Sequence, residues 1–468
     1  MEKEKIIKAK EKELKKLQLQ EALKPYKGYF FVMLIVVFLN FMVDQFASSL
    51  NNLIYANALL SFTGLSSTMD PAYIDANASF QTTFTIIGGI FAVFIPFYKS
   101  LSDRFGRKKF LWINSLLIGI GSLIIMRATD IWGYIIGYSI VATFFEGDVH
   151  QIYLIEESPE KWRTTIVTGC KGLGILGASL LGAIRLVLVQ NGGVEWWRWL
   201  AFIPVVTAAV TVIISIFLIK DTGAFRKNRI KVLTHELAEL KGEEEKTESK
   251  AEQKEKGGLI RSIGYMFKHK QTRAIFFTTL CIAGAMIFSV YYPTAMGIGT
   301  LSEEEISTAA IVWPFLEGFF AIVSGVLADR IGRKKSFAIM TGLSLIGAVL
   351  WIGSINYGFG GITVGIVYGL LVGGYWAARS ILTINMITES SPTEIRASVQ
   401  AACAFIGGLS FNVLNLVFSW TMGIVPNHMI LFLCIYAVLT LASLFFGIFK
   451  VKETKGINLN TVTEKDFE

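Results

Sequence analysis

The sequence predicts an all-α membrane protein of twelve transmembrane helices, arranged as two related six-helix halves. Hydrophobic residues fill 53% of the 468 positions and mean hydropathy is +0.53, beyond the range of soluble globular domains. The charged residues, 17% of the chain, crowd into short stretches between long apolar runs, the alternation that repeated crossing of a bilayer imposes. Two different motifs also recur in the same order at the same span of each half.

Residues 1–28 form a charged N-terminal tail, too polar for a secretory signal, whose apolar stretch would begin almost at once. Both a solvated helix ending near Pro25, lying against anionic headgroups, and a disordered tail fit it. The first half, 29–219, holds apolar runs at 29–52, 78–98, 110–128, 131–154, 164–189 and 199–219. Each approaches the roughly 20 residues a helix needs to cross about 30 Å of hydrocarbon. A polar linker follows at 220–273, its middle a low-complexity charged stretch flanked by two short amphipathic segments. The second half, 274–450, has runs at 274–296, 306–328, 336–354, 359–387, 397–425 and 428–449, and a tail occupies 451–468.

Orientation follows from lysine and arginine, which favour the cytoplasmic side. With both termini inside, all of the 44 except Arg127, Lys171, Arg185, Arg198 and Arg379 fall in inward loops and tails. The outward loops carry Asp70, Asp75, Asp130, Glu195 and Glu303 to Glu305. A multi-pass protein of the plasma membrane with cytoplasmic termini is expected. All four cysteines lie in apolar runs without metal-ligand spacing and read as packing residues; no metal or cofactor is implied. The four histidines are scattered and no nucleophile constellation accompanies them, so the chain is not expected to be an enzyme. Asn77 opens a glycosylation sequon that carries no weight so close to the bilayer.

After the second run the chain reads Lys99-Ser-Leu-Ser-Asp103-Arg104-Phe-Gly106-Arg107, and after the eighth Gly325-Val-Leu-Ala-Asp329-Arg330-Ile-Gly332-Arg333. After the fourth stands Glu156-x-x-Pro159-x-x-x-Arg163, and after the tenth Glu389-x-x-Pro392-x-x-x-Arg396. A glycine turn lets two helices approach, while acids and arginines at helix ends can pair. These residues are candidate latches between the halves. Lys99 stands where the other half has glycine, so the first latch is expected to pack more loosely.

The paired G-x-L-A-D-R-x-G-R loops resemble the signature of the major facilitator superfamily over essentially the whole chain. The E-x-x-P-x-x-x-R pair, Trp197-Arg198-Trp199 and Glu453-Thr454-Lys455-Gly456 are similar to its sugar porter and metabolite:proton symporter branch. The resemblance implies alternating access, the latches pairing the halves when the cavity faces outward and separating when it faces inward.

Charges inside spans mark a pathway or a pair, since an ionised group in hydrocarbon is costly. Glu146 and Arg379 each precede a repeat acid by ten residues, so they lie roughly 15 Å deep, as symmetry mates on the fourth and tenth spans. Lys171, eight residues beyond Arg163, lies roughly 12 Å deep. Sugar porters resemble this stretch but carry a sugar-binding glutamine where Lys171 stands, and their glutamine-rich seventh span is missing here. Lys171, Arg379 and Glu146, with Trp376 and Asn385 on the tenth span, are the candidate substrate residues. Two cations favour a carboxylate over a neutral sugar.

Asp44 occupies a place similar to the aspartate of proton-coupled sugar porters, but Ile136 stands where the resemblance places its arginine partner, leaving Arg185 as a candidate. Glu146, Asp148, His150 and Glu317 are rival proton sites. The leading expectation is proton-coupled symport of a small organic anion. Sugar or polyol symport stands second and drug or metabolite efflux third. A transporter-like nutrient sensor is disfavoured by the small cytoplasmic segments. The expected partners are a small-molecule substrate and the bilayer, with no nucleic acid, and the chain is expected to act as a monomer.

Overall fold

The computed structural model describes residues 2–22, 28–66, 70–145, 149–191, 193, 195–241, 259–286, 301–356, 359–392, 395–421 and 428–457, and no strand occurs among them. In the first half α2 (Tyr29–Thr63), α5 (Arg107–Arg127), α8 (Arg163–Asn191) and α9 (Trp196–Leu218) are single spans. The second span is α3 (Pro71–Ala92) followed by α4 (Phe94–Phe105), and the fourth is α6 (Ile131–Phe145) with α7 (Val149–Glu157). In the second half α12 (Lys270–Ala285), α13 (Glu303–Ile331) and α14 (Arg333–Asn356) lead to α15 (Gly361–Ser380). The tenth span continues through a π-helical turn (Ile381–Met386) into α16 (Ile387–Glu389), and α17 (Arg396–Thr421) and α18 (His428–Phe449) close the half.

Nine continuous helical stretches among the described residues are long and apolar enough to cross a membrane. The other three apolar runs are the second span, broken between α3 and α4, the fourth, and the seventh, whose residues 287–300 fall outside the described set.

Local chemistry explains where spans begin and end. The first runs past its expected end at residue 52 to Thr63 and stops at Gly64, whose φ of 69° is the left-handed conformation glycine adopts freely. The second starts earlier than its apolar run, at Pro71, because the Asp70 carboxylate caps the Ala72 N–H at 2.9 Å and proline suits the first helical turn. The eighth opens on a capping box in which Ser302 and Glu305 satisfy each other's backbone N–H groups.

Outside the bundle, α1 (Glu2–Ala22) is a helix and packs against α10 (Gly223–Lys241) of the linker. Ion pairs stitch them, among them Lys10 to Glu236 at 2.9 Å, Glu13 to Arg229 at 3.0 Å, Glu21 to Arg226 at 3.1 Å and Glu11 to Lys241 at 2.8 Å. On the other side of the linker, α11 (Leu259–Lys268) leads into α12.

Close packing inside lipid relies on small residues that let backbones approach. Gly361, Gly365, Gly369 and Gly373 line one face of α15 at four-residue spacing, against α13. A β-carbon on Gly369 would stand 2.8 Å from Leu316 Cβ, and one on Gly365 2.9 Å from Val312 Cβ. The two halves meet most extensively where α8 crosses α13. Gly172 and Gly318 face each other there so closely that a β-carbon on either would lie 2.6 Å from the other's carbonyl oxygen.

Gly369→Val is expected to push α15 from α13 at an overpacking cost of about 1–3 kcal/mol. Thermal denaturation of the purified protein should show it as a lowered melting temperature. Gly353→Ala, at a site with open space around it, should leave that temperature unchanged, and equal effects of the two substitutions would refute the stripe's role.

Candidate functional site

At the end of the bundle where both termini lie, the inner end of the sequence reading, the repeated motifs build two latches of one design. In the first, Arg107 pairs with Asp103 at 2.7 Å and with Glu156 at 3.1 Å. Asp103 then reaches the other half, where its Oδ2 accepts from Ser398 N at 3.0 Å and from Ser398 Oγ at 2.6 Å. In the second, Arg333 pairs with Asp329 at 2.9 Å and Glu389 at 3.0 Å, and Asp329 Oδ2 accepts from Thr165 N and Oγ1, both at 2.7 Å. Arginines cross over as well: Arg396 lies 3.6 Å from Glu156, and Arg163 lies 3.6 Å from Glu389. Glu156 and Glu389 are thus each held by one arginine from either half, and the inner end is shut.

The sequence reading quoted Glu453-Thr454-Lys455-Gly456 as part of the resemblance but missed its mate in the first half and the part both play in the latches. Lys220-Asp221-Thr222 after the sixth span is the mate of Lys452-Glu453-Thr454 after the twelfth. Thr222 Oγ1 donates to Glu156 and Thr454 Oγ1 to Glu389, each at 2.6 Å. Asp221 accepts the Lys108 N–H and Glu453 the Arg333 N–H, each at 2.8 Å, so both cap the helix that follows the glycine turn. Gly106 and Gly332 make room for those caps, at φ of 100° and 106°. A β-carbon on Gly106 would lie 2.6 Å from Asp221 Oδ1. Burial pushes the Asp221 carboxyl up, opposed by the Lys108 N–H and the Arg107 guanidinium. The signal was legible, a [IV]-K-[DE]-T pair one residue past each sixth span.

The halves meet less extensively on the Lys99 side, where α3 and α4 pass α17, than where α8 crosses α13. Lys99 is fully buried and its Nζ donates to Gln400 Oε1 of the other half at 3.0 Å. Arg330 is exposed and offers its carbonyl oxygen to Lys455, while the side chain of Arg104 lies outside the described residues.

Above the latches a cavity of about 290 Å³ opens between the halves. Lys171, Trp376, Arg379 and Glu317 line it. The Trp376 ring takes Lys171 Nζ at 5.4 Å from its centroid and Arg379 Cζ at 4.9 Å. Lys171 also donates to Ser380 Oγ at 2.6 Å. Much of the remaining polar wall is neutral amide, with Gln45, Asn51 and Asn52 on α2, Gln81 on α3, and Asn412 and Asn415 on α17. These residues the sequence reading missed, because an isolated amide in an apolar run carries no signal until the fold aims it inward.

A smaller cavity of about 30 Å³ is lined by Asp44, Gln45, Gln151, Lys171, Arg379 and Gln400 among others. Asp44 Oδ2 stands 3.9 Å from His150 Nε2, and the His150 ring meets Phe41 edge-on at 4.3 Å. Asn77 is buried, its Oδ1 accepting from the Tyr55 hydroxyl.

Two expected site residues are placed elsewhere. Arg185 is not the partner of Asp44: it clasps the outer end, donating to Leu53 O at 3.0 Å, Ser307 Oγ at 2.5 Å and the Glu303 carboxylate at 2.5 Å. Its position in the last third of α8 carries the guanidinium toward the outer acids. Asn385 lies in the π-helical turn and lines neither cavity; its amide nitrogen bonds the Ser380 carbonyl at 3.4 Å. Glu146 and Asp148 fall outside the described residues.

Two six-helix halves about a cavity lined by amide, charged and aromatic side chains, joined at the inner end by the repeated motifs, are the architecture of a secondary transporter. The family model described as "Sugar (and other) transporter" matches residues 32–465, and the chain belongs to that family. It is 26% identical over 405 residues to the probable metabolite transport protein CsbC of Bacillus subtilis, covering 81% of this chain and 83% of that protein. Against the arabinose-proton symporter of the same organism identity is 24% over 399 residues, covering 81% and 84%. The galactose-proton symporter of Escherichia coli is 22% identical over 77% of this chain and 80% of its own length. The solved structure of the proton:xylose symporter XylE bound to 6-bromo-6-deoxy-D-glucose superposes with a TM-score of 0.70 at 16% identity, over 95% of this chain and all of that one. That likeness shows the major facilitator fold.

Removing one partner of a buried ion pair costs about 3–5 kcal/mol. Glu389→Gln is therefore expected to shift the population toward an open inner end, read as faster backbone hydrogen exchange over residues 163–168 and 329–336. Unchanged exchange in that variant would exclude Glu389 as a gate.

Proposed function

We propose that the protein is a sugar or polyol:proton symporter. The observation that carries this is the family match over residues 32–465, supported by relatives named for arabinose and galactose symport with protons. The cavity agrees in its chemistry. Amides present a donor and an acceptor on one planar group, which suits hydroxyls that are both, and Trp376 and Phe84 supply flat apolar faces for a sugar ring.

This reverses the order drawn from the sequence, where two midplane cations put a carboxylate first. Lys171 and Arg379 flank Trp376 and face Glu317 across the same cavity, so their charge does not require an anionic solute. Efflux of bulky apolar compounds wants a more uniformly apolar cavity than this one. The proton belongs on Asp44, which His150 adjoins at 3.9 Å in the absence of an arginine at position 136. The lysine and arginine bias of the inner end supports a place in the cytoplasmic membrane with both termini inside, the chain acting as a monomer.

The test is solute-induced proton movement in proteoliposomes loaded with a pH dye, with pentoses, hexoses and inositol beside mono- and dicarboxylates. A sugar or polyol should carry protons inward, and Asp44→Asn should abolish that movement while leaving sugar counterflow intact. Proton movement with a carboxylate and with none of the sugars would overturn the assignment.

A further inference from the structure

The internal repeat makes Lys99 and Gln400 conspicuous as a pair. The spacing between the first and second motifs of the two halves equates Lys99 with Gly325 and Gln400 with Val167. In the second latch these positions hold glycine and an aliphatic residue, and the glycine lies against Thr164, Thr165 and Thr168. In the first they hold an ammonium and an amide joined across the halves at 3.0 Å. A fully buried lysine replacing glycine brings a desolvation cost that a packing role does not explain.

The surroundings say what that charge faces. Below it, the latch carboxylates are committed: Asp103 to Arg107 and Ser398, and Glu156 to Arg107, Arg396 and Thr222. Above it, His150 adjoins Asp44 at 3.9 Å. Gln400, which holds Lys99 through its Oε1, lines the same small cavity as Asp44 and Arg379. Its Nε2 is buried and makes no hydrogen bond. Gln400 therefore joins Lys99, at the seam between the halves, to the wall of the cavity that Asp44 lines.

We propose that Lys99 is a positioning residue linking the inner latch to proton release: Gln400 holds its ammonium while the latch is shut and lets it turn toward Asp44 and His150 when the latch opens. The bond to Gln400 crosses the halves, so it breaks whenever they separate at this end. An ammonium brought nearer to a carboxylic acid favours its ionised form. The proton then passes from Asp44 to inner water, and its release is confined to the inward-facing state. This role rests on the symport reading above.

The experiment uses the full chain in proteoliposomes with three readouts: sugar counterflow without a proton gradient, proton-driven accumulation, and the dependence of accumulation on pH. Lys99→Gln should keep counterflow within about twofold of wild type while accumulation falls about tenfold, within the usual range of coupling free energies, and its pH dependence flattens. Lys99→Arg should restore both. Gln400→Val, which copies the second latch, should leave Lys99 without its hold and let protons pass without sugar. Wild-type accumulation and pH profile in Lys99→Gln would overturn the proposal, as would a parallel loss of counterflow that Lys99→Arg fails to restore. A wild-type protein that exchanges sugar but moves no protons would remove the symport reading, and this role with it; symport that survives in Lys99→Gln would remove the role alone.

Discussion

Glu156 and Glu389 are the points on which the closed molecule depends. Each is a fully buried carboxylate, and such a group persists in a protein interior only when cations and hydrogen bonds replace its lost hydration. The arginine supplied within each half, Arg107 or Arg333, cannot do this alone, and the second comes from the opposite half. Cohesion of the inner end is thereby tied to the burial of two charges. Parting the halves would require water to solvate both.

Glycine sets how near the halves come. The close approach of Gly172 to Gly318 and the cap seats at Gly106 and Gly332 bring backbone dipoles and carboxylates within bonding range of partners that a methyl group would displace. The charged network is accordingly a consequence of packing: the acids and arginines find one another because small residues let their helices touch. The asymmetry between the latches, Lys99 with Gln400 against Gly325 with Val167, then stands out as a difference in chemistry imposed on equal geometry.

Charge and recognition occupy different levels of the molecule. The latch charges are neutralised in pairs at the inner end, Arg185 and Glu303 clasp the outer end, and Asp44 with His150 lies between the cavity and the inner latch. The main cavity draws its breadth of polar contact from amides on α2, α3 and α17. A reading that counts only charges within spans therefore gives two cations more weight in substrate choice than the wall they share supports.

Much was legible from the sequence by itself. Apolar runs of membrane length define the spans because hydrocarbon leaves the backbone no other solution. The doubled motifs define two halves and place an acid and two arginines at each latch, since those residues must recur wherever the same turn is built twice. The structure alone decided which partners meet: that Arg163 and Arg396 cross to the opposite glutamate, that Arg185 serves the outer clasp and leaves Asp44 beside His150, and that Lys99 finds Gln400 of the other half. Span depth follows from counting residues along a helix, whereas the direction a side chain points, and the neighbour it finds from a segment hundreds of residues away, depends on helix rotation and crossing. Those are set by packing between halves that no local pattern encodes.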